Sequence, residues 1–211
     1  MAINKQGEDM TFGSYLSYMM NSLESVKVEE IDSVINNIFD AYLKNRMIFV
    51  IGNGGSAANA SHFAVDLANG TKISSDSAKR IKTLSLTDNL PYITALGNDE
   101  GFESIFEQQL KTFASEGDLL IAISGSGNSP NIIKAVEWGN KNGLVTIGIT
   151  GFDGGLPHKI NKLSLRVPLN DMCTAESIHS VVFHYITIEL KKKIENDQRI
   201  PVQYEYIAKS K

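Results

Sequence analysis

Three short runs, "MIFVIG" (47–52), "DLLIAIS" (118–124) and "LVTIGIT" (144–150), are apolar without alternation. A strand with that pattern is covered on both faces, which suits the interior of a parallel sheet. Between the runs lie segments of helical period, as parallel crossovers demand. "IKTLSLTD" (81–88) and "LSLRVPL" (163–169) supply two further strands. Helices are expected over Ser56–Ala68, Glu103–Phe113, Ser129–Asn142 and Thr174–Ile194. Ile31, Val34, Ile35, Ile38, Phe39 and Tyr42 mark another ahead of the first strand, and Tyr15, Met19 and Leu23 one more upstream. The pattern predicts an α/β fold, a doubly wound three-layer α/β/α sandwich on a five-stranded parallel sheet. Ligands of such sheets sit beyond the carboxyl ends of the strands.

The chain has 211 residues, enough for one domain with a sizeable core. The expected division is N-terminal helices (10–45) for packing or oligomerisation, a core (46–195) and a C-terminal extension (196–211). A net charge of -4 supplies no basic field, so nucleic acid is not an expected partner. Cys173 is the single cysteine, which excludes an internal disulfide framework and suits a reducing compartment. The opening "MAINKQGEDMTFGSY" lacks an apolar signal-peptide core, and no stretch is long enough to span a bilayer. A cytoplasmic protein without a membrane partner is expected.

Two strands end in similar corners, "GNGGSA" (52–57) and "SGSGNSP" (124–130), each leading into a helix. Glycine lets backbone N–H groups crowd a ligand, serine hydroxyls donate to anionic oxygens, and a helix N-terminus is partially positive. Together they make an anion seat without lysine or arginine. Neither corner has the lysine of a nucleotide-binding P-loop or the G-x-G-x-x-G spacing, so nucleotide chemistry is poorly supported. Tight strand-to-helix turns would also use these residue types.

His62 and Asp66, four apart, project from one face of their helix. Glu176 and His184 lie about two turns apart on the last helix. Imidazole and carboxylate pairs from two helices form a metal site with a position left for substrate. Each also has a plain structural reading: a hydrogen-bonded surface histidine, a first-turn carboxylate, a core imidazole.

The stretches "GNGGSAANASHFAVDL", "LTDNLPYITALGND", "GDLLIAISGSGNSPNIIKAV", "ITGFDGG" and "AESIHSVVFH" together resemble the sugar isomerase (SIS) domain family, and within it the phosphoheptose isomerases. The resemblance runs over roughly residues 45–190. It implies that Ser124, Ser126 and Ser129 hold a phosphate with Gly125 in the same loop. It also implies that Gly52, Asn53, Gly54, Asn98 and Asp99 contact the sugar, with Ser56 as a further contact. A zinc ion per subunit would be held by His62, Asp66, Glu176 and His184, and Asp66 and Glu176 would also meet substrate. The family has Glu and Gln where this chain has Asp66 and Glu176. Asp66 is the implied base and His184 the implied acid or base on the sugar oxygens; His179 reads as structural.

The implied reaction is aldose–ketose isomerisation of sedoheptulose 7-phosphate to D-glycero-D-manno-heptose 7-phosphate, a precursor for lipopolysaccharide or other surface glycans. The implied assembly is a homo-oligomer, a tetramer with sites shared between subunits. Two other expectations stand beside it: an isomerase of another phosphosugar, motivated by Asp66 and Glu176, and a non-catalytic SIS scaffold that binds a replication initiator.

Overall fold

The computed structural model describes residues 11–73 and 79–197. The expected C-terminal extension lies almost wholly outside the described residues, as does Met10. Five strands are seen: β1 (Met47–Ile51), β2 (Lys82–Ser85), β3 (Leu119–Ser124), β4 (Val145–Thr150) and β5 (Leu163–Arg166). All pair in parallel, in the order β2-β1-β3-β4-β5. Every residue of β3 is buried, whereas the edge strands β2 and β5 are only partly covered. The unbroken apolar runs are the central strands, and the interrupted ones are the edges.

Successive side chains of a strand point to opposite faces, and the core divides accordingly. Ile48, Val50, Leu119, Ile121 and Ile123 join one cluster. Phe49, Ile51, Leu120 and Ala122 join the other. The first cluster is roofed by α2 (Val28–Leu43), α3 (Gly55–Val65) and α8 (Met172–Glu195). The second is roofed by α4 (Leu90–Asp99), α5 (Ile105–Phe113) and α6 (Pro130–Lys141). The three layers are those the sequence predicts. At the opposite end from the loops, Asp118 ties the start of β1 to the turn before β3. Its carboxylate accepts from the backbone N–H groups of Met47 and Ser115, both at 2.9 Å.

The N-terminal helix α1 (Phe12–Glu24) is capped by Thr11, whose hydroxyl accepts from the Ser14 N–H. Tyr15, Met19 and Leu23 are half-buried on it, while Phe12, Leu16 and Met20 face outward.

Three differences from the sequence reading stand out. The helix expected to run to Ala68 changes pitch at Asp66, where a π-helical turn spans Asp66–Gly70. Asn69 and Gly70 are weak helix formers, and the turn packs so closely on α8 that a Cβ at Gly70 would lie 3.1 Å from Thr187. Helix α4 was not expected, although Asn89 caps it, accepting from the Tyr92 N–H at 3.2 Å, with proline in the first turn. A short helix α7 (Gly155–Ile160) follows β4, in a stretch to which the sequence pattern assigns no element.

Candidate active site

The two glycine–serine corners meet at the carboxyl edge of the sheet. Between them lies a cavity of about 230 Å³ lined by Asn53, Gly54, Gly55, Ser56, Ser124, Gly125, Ser126, Ser129, Met172 and Glu176, with Ile123 at its base. The corners are tied by a reciprocal amide pair. Asn53 donates to Asn131 Oδ1 at 2.8 Å, and Asn131 donates back to Asn53 Oδ1 at 2.9 Å. Because Asn131 lies on α6, the pair sets the distance between the N-termini of α3 and α6. Gly52 lies just before the lining residues, pressed so closely on the first turn of α3 that a Cβ there would meet the Ser56 carbonyl at 2.4 Å.

The serines differ in how they are held. The buried Ser124 hydroxyl accepts from the Gly127 N–H at 3.1 Å, so its own proton is free to point into the cavity. Ser129 is the N-cap residue of α6 but makes no side-chain capping bond, leaving its hydroxyl to the cavity. Ser126 accepts from the Asn128 N–H at 3.4 Å. Hydroxyl donors, two helix N-termini and exposed loop N–H groups converge without a basic side chain among the lining residues, which is an oxyanion-binding geometry.

Glu176 is the exception. Its carboxylate crosses from α8 to sit on α3, accepting from Ser56 Oγ at 3.4 Å. A Cβ at Gly55 would be 2.2 Å from Glu176 Oε2. Only glycine at position 55 leaves room for that carboxylate. The Glu176 backbone carbonyl also accepts from Asn59 Nδ2 at 3.0 Å, fastening α8 to α3.

Farther along the same two helices is a second cluster. Asp66 Oδ2 lies 3.6 Å from His62 Nε2 and 3.5 Å from His184 Nε2. The two imidazoles meet edge to face with ring centres 5.0 Å apart. Their register is fixed from inside, because the neighbouring Phe63 and Phe183 stack at 4.3 Å in the core. One donor atom from each of His62, Asp66 and His184 lies within 4.8 Å of the others. Two imidazoles and a carboxylate are a fitting donor set for a divalent metal that keeps a position open. The histidine side chains are each 52% exposed, so the open side faces outward.

The structure therefore brings together His62, Asp66 and His184 but separates Glu176 from them. Glu176 lies eight residues, about 12 Å of axial rise, before His184, and its carboxylate rests on Gly55 and Ser56 at the start of α3. Asn98 and Asp99 lie outside the cavity, exposed at the end of α4, where the Asn98 amide donates to Asp99 Oδ1 at 2.8 Å. His179 is fully buried on the inner face of α8, with Nε2 3.3 Å from the Thr150 carbonyl oxygen. Burial pushes its pKa down to about 4, although that contact opposes the shift. It is a neutral core histidine, as its structural reading implies. Sequence reasoning missed Asn131 and Met172; the "SPN" turn hints at the first, and nothing local points to the second.

An SIS domain is the class that this sheet, its paired corners and their cavity define, and the SIS-domain family model matches residues 12–151. The chain is similar to the phosphoheptose isomerase of Citrifermentans bemidjiense, 35% identical over 168 residues covering 80% of this chain and 86% of that one. It is 41% identical to the phosphoheptose isomerase of Aliarcobacter butzleri over 145 residues, 68% of this chain and 75% of that one. The solved phosphoheptose isomerase from Neisseria gonorrhoeae superposes with a TM-score of 0.78 at 27% identity, covering 85% of this chain and 96% of that one. The chain belongs to the SIS-domain family, among its phosphoheptose isomerases.

Proposed function

We propose that this protein isomerises sedoheptulose 7-phosphate to D-glycero-D-manno-heptose 7-phosphate, feeding surface-glycan or lipopolysaccharide synthesis in the cytoplasm. The observation that carries the reading is the shared scaffold of the two clusters. Helices α3 and α8 present an oxyanion cavity at one end and a His–Asp–His group about two turns away. An extended seven-carbon sugar phosphate has about eight bonds between C1 and phosphorus, each of roughly 1.5 Å advancing about 1.2 Å along the zigzag, and so a length of that order.

In this reading Ser124, Ser126, Ser129 and Ser56 bind the phosphate, with the loop N–H groups of Gly52–Gly54 and Gly125 completing the seat. Asn53 and Glu176 meet sugar hydroxyls nearby, and Asn98 and Asp99 approach from their exposed position. His62, Asp66 and His184 would hold one zinc ion per subunit, joined by Glu176 if its side chain turns along α8. A bound zinc ion supplies Lewis acidity toward the carbonyl oxygen. Asp66 takes the proton from C1, the C1–H pair forms the C1–C2 double bond, and the π pair of the C2 carbonyl moves to O2. His184 donates a proton to O2, giving the enediol, then accepts the proton of O1. The C1 carbonyl closes as Asp66 returns its proton to C2. Phosphate binding at the far end supplies energy that holds C1 and C2 in place.

A homotetramer fits the outward-facing apolar residues. Phe12, Leu16 and Met20 form one stripe on α1, while Val181, Tyr185 and Ile188 form another around His184. Covering the second stripe would wall the metal group. Among the described residues no helix is long and apolar enough to cross a membrane.

The direct test incubates the purified protein with sedoheptulose 7-phosphate and follows the aldose product by NMR, beside a panel of other ketose phosphates. Turnover of the heptulose ester is expected to exceed that of the others. Turnover of a pentulose or hexulose ester alone moves the substrate assignment; turnover of none removes the enzyme. Size-exclusion chromatography with light scattering is expected to give a tetramer, and a monomer overturns the shared-site assembly.

A further inference from the structure

The segment "GFDGG" (151–155) follows β4 and lines neither cluster, yet its backbone is built against the phosphate-side corner at two points. Gly151 donates to the Gly125 carbonyl at 3.0 Å. Gly127 and Gly155 then meet back to back. A Cβ at Gly127 would lie 2.4 Å from the Gly154 carbonyl oxygen, and one at Gly155 would lie 2.2 Å from the Gly127 carbonyl oxygen. All three of Gly127, Gly154 and Gly155 have positive φ, at 63°, 90° and 55°. Both conformation and proximity exclude side chains there.

This contact reaches the cavity in one step. The Gly127 N–H is the group that holds Ser124 Oγ, at 3.1 Å. The segment in turn is anchored away from the site. Phe152, at φ 50°, donates to the Leu169 carbonyl at 3.0 Å. Asp153 Oδ1 accepts from the Gly155 N–H at 3.1 Å, and Gly154 donates to the Gly151 carbonyl at 2.9 Å. A bulky residue in the left-handed region is strained and persists only where its surroundings enforce it.

We propose that residues 151–155 are a brace that positions the phosphate-side corner, so that Gly154 and Gly155 set phosphate affinity through Gly127 and Ser124 without touching substrate. The inference rests on the oxyanion reading of the cavity but not on the isomerase reaction. Gly155→Ala must push the two loops apart, tilting Gly127 and releasing Ser124. Asp153→Ala loosens the same turn without adding bulk.

The test measures inorganic phosphate binding by calorimetry and sugar-phosphate kinetics for wild type, Gly155→Ala and Asp153→Ala. Melting temperature and bound-metal content serve as controls. The expected result is a KM and phosphate Kd raised tenfold or more in Gly155→Ala and about threefold in Asp153→Ala. kcat should stay within threefold and metal content should be unchanged. If Gly155→Ala does not fold, Asp153→Ala carries the test alone. Unchanged Kd and KM in a folded variant overturn the brace while leaving the isomerase standing. Phosphate binding that weakens in a protein with no isomerase activity keeps the brace and removes the reaction. A wild-type protein that binds neither phosphate nor sugar phosphate overturns both.

Discussion

The two ends of the α3–α8 pair are built in different ways. The cavity end is made of backbone: glycine turns, helix N-termini and serines whose acceptors are already engaged by neighbouring N–H groups. The His62–Asp66–His184 end is made of side chains, half exposed, on a helix pair aligned by a stacked phenylalanine couple beneath. A backbone seat is formed on folding and changes little when emptied. A cluster of two imidazoles and a carboxylate depends on an ion, or on a cover, to hold its members in one arrangement. Binding and chemistry should accordingly be separable by mutation, and the following experiments press on that separation.

The largest effect belongs to Asp66→Asn. Loss of the proposed proton acceptor is expected to lower kcat by about 10²–10⁴, with the KM for sugar phosphate within a few-fold of wild type. A KM that rises as steeply as kcat falls would break the contrast between the ends. Ser124→Ala is the reciprocal case. On the proposed phosphate contact, removing this hydroxyl costs about 1.5–3 kcal/mol, roughly ten- to a hundredfold in KM, while bound metal stays at the wild-type stoichiometry.

His179 supplies a pH dependence that belongs to neither end. Its folded pKa lies below the unfolded one, so between about 6.5 and about 4 the unfolded chain binds the proton and the folded chain does not. Stability from this group is therefore unaffected above pH 6.5 and falls as pH drops, by about 2 kcal/mol at pH 5. Urea unfolding of wild type and His179→Leu at pH 7.5 and 5 checks this; the variant should lack that increment of acid sensitivity. An equal loss in both proteins assigns the acid sensitivity elsewhere.

The smallest expected effect is at Glu176→Gln. A carboxylate resting against Ser56 at the edge of an anion seat opposes a phosphate there. Its neutral isostere should lower KM a few-fold, on the order of 1 kcal/mol, with little change in melting temperature. A KM that rises instead would show that the carboxylate's contact with the sugar outweighs its repulsion of the phosphate.

Much of this arrangement is legible in the sequence because it rests on local rules. The unbroken apolar run at 119–123 reads as an interior strand, and two glycine–serine corners after strands of one parallel sheet share its carboxyl edge. The i,i+4 spacing of His62 and Asp66 likewise survives, even though a π-helical turn begins at Asp66. What the chain does not announce depends on pairs distant in sequence. The Asn53–Asn131 amide exchange, the Phe63–Phe183 stack and the back-to-back approach of Gly127 and Gly155 each need the tertiary fold to exist first. The place of Glu176 on α8 is of the same kind. Glu176 and His184 share a face, but about 12 Å of axial rise sends them to different clusters.

The odd–even division of the strands has a practical consequence. Phe49, Leu120 and Ala122 answer only to α4, α5 and α6, whereas Ile48, Val50 and Ile121 answer to the helices that hold the histidines. The sheet thus acts as a bulkhead. An engineer seeking thermal robustness can rework the α4–α6 compartment with little disturbance to the histidines, and natural drift should have accumulated there first.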